Sequence, residues 1–174
     1  TELGIAHVKF ECRIEKVELN RYGHDQITFY ISPNAGEELK PLSQIVSSGE
    51  AARLMLAMKK ALIKVDPIPV LIFDEIDAQI GGRLGTITGT KLNELAKNRQ
   101  VILITHLPQI ASFGEHHFKV SKAVRNGRAI TQVQLLNAQE RVKEIAKMMS
   151  GENETNISVS HANEMLSKAK TKTR

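Results

Sequence analysis

The spacing of apolar residues changes repeatedly along this chain, and each change predicts an element. Val8-Lys-Phe-Glu-Cys-Arg-Ile14 alternates apolar with polar, the mark of a half-buried strand. Arg21-Tyr-Gly-His-Asp-Gln26 predicts a turn and Gln26-Ile-Thr-Phe-Tyr-Ile31 a returning strand, together a hairpin. Ser32-Pro-Asn-Ala-Gly-Glu37 reads as a loop, and Pro41 marks a second bend. Ser47-Ser-Gly-Glu50 fits a capping box, with Ser47 accepting the Glu50 N–H and Glu50 reaching back to the N–H of Ser47. A helix follows, with Leu54, Met55, Met58, Ala61 and Leu62 at helical spacing, and Pro67 and Pro69 end it. Val70-Leu-Ile-Phe73 is a continuous apolar run, which predicts a strand buried on both faces. After Gly81 and Gly82 an amphipathic helix is expected over 84–97, with Ile87, Leu92 and Leu95 inward. Val101-Ile-Leu-Ile-Thr-His106 repeats the apolar strand, and Pro108 suits the first turn of a short helix over 107–112. Two more strands, His117-Phe-Lys-Val-Ser and Ile130-Thr-Gln-Val-Gln-Leu-Leu136, flank an Asn126-Gly127 turn. Closing helices are expected over 141–149 and 157–166, with a polar linker over 151–156.

Apolar strand, helix, apolar strand implies a right-handed crossover and a parallel core. The expected fold is therefore α/β, a mainly parallel sheet with flanking helices and an N-terminal β-hairpin. It forms one unit, with hairpin strands in 1–32, a core in 33–150, and a C-terminal helix with a basic tail in 151–174. At 174 residues, 41% hydrophobic and 25% charged, the chain suits one soluble domain. No apolar run reaches the length of a membrane span, and no signal-peptide pattern opens the chain. The first residue is Thr1 rather than Met, so a piece of a longer protein is expected. A single cysteine, Cys12, excludes an internal disulfide, suits a reducing cytoplasm and is expected as a small buried hydrophobe. Part of the net charge of +5 lies in Lys168-Ala-Lys-Thr-Lys-Thr-Arg174, read as a solvated, frayed terminus whose charge also suits a phosphate backbone. With 4% aromatic residues and no Trp, no base-stacking platform is evident.

The chemistry concentrates where the two apolar strands end. In an open α/β sheet, ligands sit beyond the carboxyl ends of the strands. Asp74 and Glu75 end the first. Neighbouring residues leave a strand on opposite sides, so the two acids are expected to do different work. Asp74 is placed to hold Mg²⁺ through its waters, and Glu75 to orient and polarise an attacking water. Thr105 and His106 end the second, and an imidazole there can hydrogen-bond a terminal phosphate. The other histidines lack such a setting. Ser47, Ser48, Gly49 and Glu50 open a helix, whose free N–H groups can cap locally or meet an anion. No phosphate-cradling loop is present, because Gly85-Thr-Ile-Thr-Gly89-Thr-Lys91-Leu92 has the wrong spacing and falls in a helix.

Ser47-Ser-Gly-Glu, Leu71-Ile-Phe-Asp-Glu-Ile-Asp-Ala and Ile104-Thr-His106, in this order and spacing, resemble the carboxyl-terminal half of an ABC-type ATPase head. Gly36-Glu-Glu-Leu-Lys-Pro-Leu, Asp74-Glu-Ile-Asp-Ala-Gln-Ile-Gly-Gly82 and Thr105-His-Leu-Pro-Gln-Ile-Ala111 make the resemblance specific to the RecN family of bacterial DNA repair proteins, which are SMC-like. The similarity runs over about residues 31–151. It implies a head split by a long coiled coil, with the Walker A phosphate cradle on an N-terminal lobe and a second head joined through ATP. It implies ATP and Mg²⁺ as cofactors, DNA as a partner, no membrane, and a bacterial, cytoplasmic, nucleoid-associated setting. By the same resemblance Asp74 is the Walker B metal residue, Glu75 the catalytic base and His106 the switch histidine. Ser47, Ser48, Gly49 and Glu50 form the signature that touches ATP on the opposite head. Ala78, Gln79 and Gly81 belong to the D-loop. Ser48 stands where the family signature has its first Gly, and Gly81 where many ABC ATPases have Asp.

Two other readings compete. A metal-dependent nuclease could use Asp74, Glu75, Asp77 and His106, though it needs further acids on neighbouring strand tips. A non-catalytic DNA-binding module would rest on the basic tail and net charge.

Overall fold

The computed structural model describes residues 3, 9–32, 36–44, 48–125, 127–151 and 155–173, without the side chains of Ser48, Glu50, Lys172 and Thr173. Ser47 and the capping box expected there lie outside the described residues. At the centre, β4 (Val70–Phe73) and β5 (Gln100–Leu103) run parallel, with Val70 opposite Gln100 and Phe73 opposite Leu103. The helix α2 (Gly82–Ala96) joins them. Strand alternation sends Leu71 and Phe73 to one face, where they pack with Leu56 of α1 (Ser48–Ala61), Leu92 and Leu95 of α2, Ile76, and Ile110 of α3 (Pro108–Ala111). Fully burying side chains of this size stabilises by roughly 1.5–3 kcal/mol each, which is what holds the strand tips in register.

The opposite face is bare. Val70, Ile72, Ile102 and Ile104 are 40%, 67%, 44% and 56% exposed. The expectation of a strand buried on both faces is therefore corrected: α1 and α2 both stack on the Leu71 and Phe73 side, and no described element covers the other. The inward stripe of α1 is also rotated from the expected one. Leu56 and Arg53 are buried, whereas Met55 and Leu62 are about half exposed.

Two antiparallel ladders flank this centre. β1 (Lys9–Asn20) pairs with β2 (Gly23–Ser32), and β3 (Lys40–Pro41) adds to β2. Phe10 stacks on Phe29 across the hairpin, yet Ile14 and Ile27 on the same face remain exposed. Cys12 is exposed as well, contrary to the buried role expected of it. β6 (Phe118–Arg125) and β7 (Arg128–Leu135) form the second hairpin, turning at Gly127 with φ of 76°. Their register places Phe118, Val120, Val124, Val133 and Leu135 on one exposed face. Among the described residues the parallel pairing lies in β4 and β5, and the two flanking ladders are antiparallel sheets of their own, within the α/β fold expected.

The chain closes with α4 (Ala138–Ser150) and α5 (Asn156–Thr173). Asn137 and Glu140 form a reciprocal capping box that starts α4. Ile145, Ala146 and Ala162 are the buried centre of the α4–α5 contact. The guanidinium of Arg141 donates to the carbonyls of Ala111, Ser112 and Gly114, which fixes α4 against the end of α3. The tail read as frayed is helical through Thr173, and Ala169 within it is buried. Among the described residues no helix is long and apolar enough to cross a membrane.

Candidate functional site

β4 ends at Phe73, and the backbone bends at Asp74 and Glu75 instead of continuing as a strand. Glu75 has φ of 56° and Gln79 of 62°, so two non-glycine residues lie in the left-handed region within one short turn. Each such residue costs on the order of 1 kcal/mol or more, and such strain gathers where a surrounding structure fixes it for a purpose. The Ala78 N–H donates to the Glu75 carbonyl at 3.0 Å and holds the bend closed. The acids are therefore set apart by this turn, not by strand alternation. Both are exposed, and neither carboxylate has a hydrogen-bond partner among the described residues.

The parallel register continues one step past the strands, with the Ile104 N–H donating to the Phe73 carbonyl at 3.0 Å. This brings the segment carrying Thr105 and His106 to the same edge as the acids. Asp77, only 3% exposed, ties the two tips together through one carboxylate oxygen. Oδ2 accepts the Thr105 hydroxyl and the His106 backbone N–H at 2.8 Å, and the His106 ring lies beside it with Nδ1 at 3.1 Å. The Thr105 oxygen in turn accepts the Leu107 N–H at 3.0 Å, which turns the chain into α3. With Nδ1 lying 3.1 Å from a buried carboxylate oxygen, the ring is held on that side and Nε2 is turned away from it, open to a ligand. The His106 side chain is 74% exposed, so Nε2 is accessible.

The N-terminal turn of α1 packs on the same turn from the other side. Gly49 is buried, and a Cβ there would lie 2.8 Å from the Ala78 carbonyl oxygen and 2.9 Å from the Ala78 Cβ. One turn later Arg53 donates from Nη1 to the carbonyls of Ala78 at 3.1 Å and Ile76 at 3.5 Å. Ser48 and Glu50 lie in the first turn of α1 by their backbone. Gly81 is the exposed N-cap residue of α2, with nothing within 4 Å of where its Cβ would stand. Gly85 and Gly89, set aside as a phosphate loop, are helix-packing positions: a Cβ on Gly89 would meet the Phe113 ring at 2.5 Å.

A single exposed carboxylate at a strand end suits Mg²⁺, which keeps several waters and takes one or two carboxylates. Asp74 fits that part. Among the described residues no three His, Cys, Asp or Glu side chains converge on a common metal position. The nuclease reading needs such a group and finds no support. Sequence reasoning gave Asp77 only to that reading and passed over Arg53. The available signal for Arg53 was its place at i+4 from Gly49 and i−3 from Leu56, on one helical face.

A parallel pair packed on one face, with its loops gathered on the carboxyl edge, is an arrangement that solved SMC head domains share with this chain. The fold matches the Smc head domain of Pyrococcus yayanosii, solved with a coiled coil and joint, at a TM-score of 0.62 and 24% identity over 85% of this chain and 27% of that one. It also matches the Smc head of Pyrococcus furiosus, solved with an extended coiled coil and bound to the C-terminal domain of ScpA, at a TM-score of 0.57 and 25% identity over 85% and 35%. No protein-family model matches the sequence. Curated relatives are more specific. The DNA repair protein RecN of Deinococcus radiodurans is 42% identical over 166 residues, 95% of this chain and 29% of the relative. That of Bacillus subtilis is 38% identical over 155 residues, 89% and 27% respectively, and that of Treponema pallidum 38% over 171, 94% and 30%. The chain belongs to the RecN family and spans less than a third of the length of these relatives.

Proposed function

We propose that this chain is the C-terminal lobe of an ATP-hydrolysing head, and that the intact protein uses ATP turnover between two heads to act on DNA double-strand breaks. The observation that carries the reading is the Asp77 contact, which joins the turn holding Asp74 and Glu75 to the tip holding His106. ATP with Mg²⁺ supplies the phosphoanhydride to be cleaved and charge neutralisation on it. Asp74 would hold the ion's water shell, Glu75 would orient and polarise the attacking water, and His106 Nε2 would contact the terminal phosphate. Ser47, Ser48, Gly49 and Glu50 would face nucleotide on the opposite head, with Ala78, Gln79 and Gly81 at the seam.

This lobe holds no phosphate cradle, so an N-terminal lobe with a Walker A loop is its required partner. The bare faces of β4–β5 and of both hairpins are apolar surfaces of the kind such a lobe would cover. The isolated chain should hydrolyse almost no ATP. In the intact protein Glu75→Gln should abolish turnover while ATP binding persists and ATP-dependent head dimers live longer. Wild-type turnover in that variant, or full activity in the isolated chain, would overturn the assignment.

A further inference from the structure

Arg53 is 5% exposed in a helix whose buried stripe is otherwise small or apolar. A guanidinium is retained in such a place only where fixed acceptors meet it. They include the backbone carbonyls of Ile76 and Ala78, on either side of Asp77. Gly49, one turn earlier on the same face, leaves no room between the helix and the Ala78 carbonyl. The Ala78 N–H holds the Glu75 carbonyl, and the Asp77 carboxylate holds His106. Among the described residues, the path from the N-terminal turn of α1 to both hydrolytic side chains therefore runs through the contacts that Gly49 and Arg53 make with the turn.

We propose that Arg53 is a positioning residue that makes α1 and the turn 76–78 a single mechanical unit. Nucleotide contact at the start of α1 on one side then sets the positions of Glu75 and His106 on the other. This rests on the head-lobe reading above. It adds that occupancy of the signature end and competence of the hydrolytic end are not independent. Lys could replace only part of the contact: both bonds come from Nη1, and a strongly hydrated ammonium on a flexible stem lacks the fixed planar geometry that aims that nitrogen at the two carbonyls. An apolar residue would leave both carbonyls without this donor.

The test uses the full-length protein with Arg53→Met, Arg53→Lys and Glu75→Gln. Steady-state ATP turnover, equilibrium binding of a fluorescent ATP analogue and the thermal unfolding midpoint are measured on each. Arg53→Met should lower kcat by about tenfold to a hundredfold, the scale on which sub-ångström to 1 Å misplacement acts. Nucleotide affinity should stay within about threefold of wild type, a loss of transition-state and not ground-state interaction. Arg53→Lys should fall between the two in kcat at unchanged affinity and unchanged midpoint. If Arg53→Met does not fold, the Lys variant decides alone, and wild-type kcat there overturns the proposal. It is also overturned if kcat per folded molecule is unchanged in Arg53→Met, or falls only in step with affinity. If Glu75→Gln keeps wild-type turnover, the head-lobe reading fails and this proposal with it. If Glu75→Gln is inactive while Arg53→Met is not, the Arg53 proposal alone fails.

Discussion

Removing the Asp77 carboxylate should release the tip that carries His106. Two donors converge on its Oδ2, the Thr105 hydroxyl and the His106 backbone N–H, and the His106 ring lies beside it with Nδ1 at 3.1 Å. The ring contact contributes little, because the imidazole is 74% exposed and water replaces its partner. The other two are part-buried hydrogen bonds to an ionised acceptor, each worth about 1.5–3 kcal/mol. Asp77→Ala should therefore weaken local closure of this segment by about 3–6 kcal/mol. Asp77→Asn keeps an oxygen at the convergence point and loses only the charge assistance, about 1 kcal/mol. Amide hydrogen exchange on the intact protein, read at residues 104–107, reports local opening directly. At about 1.4 kcal/mol per decade, Asp77→Ala should speed exchange at the His106 amide by about a hundredfold or more, and Asp77→Asn by about tenfold or less. Unchanged exchange in Asp77→Ala would show that the tip is held by something else.

Two more outcomes follow from the same coordinates. Gly49→Ala should destabilise by about 1–3 kcal/mol and impair turnover, since its Cβ meets backbone at 2.8 Å; Gly81→Ala, with open space and φ of −96°, should change the thermal midpoint hardly at all, and equal effects at the two sites would refute the packing argument. His117 supplies a pH dependence: burial first, then the charge of Arg141, hold its imidazole below the ordinary 6.5. The unfolded chain thus takes up this proton at higher pH than the folded one, so stability is intact above about pH 6.5, falls as pH drops through that value and levels off once the folded group also titrates. His117→Gln should flatten that part of a stability-against-pH curve, and an unaltered slope would assign the dependence elsewhere.

What could be read from sequence was local. The apolar run into Asp74 and Glu75, its echo ending at His106, and Pro108 at a helix start each carry their meaning within a few residues, and each lies where expected. What depended on distant surfaces was hidden. Periodicity marked Val70 and Ile72 as apolar but could not say that no described element covers them. Asp77 looks like one more residue of a strand end until the chain turns at Glu75 and buries it beneath Thr105 and His106. Arg53 reads as a solvent-facing base because the carbonyls it meets on the turn are main-chain oxygens, which leave no trace in a side-chain pattern. Ala169 gave no sign that the lysine-rich end would pack as helix.

The naked strand faces bear on how such a protein is made. If the head is split as proposed, the lobe made first must hold half of a hydrophobic sandwich unsatisfied until its counterpart, far away in sequence, is made. Greasy two-stranded ribbons with open edges are templates for unwanted pairing in the meantime. On the proposed arrangement, assembly of each head is a long-range closure in competition with aggregation. Chaperone dependence and insolubility of the severed piece would then be properties of the division itself.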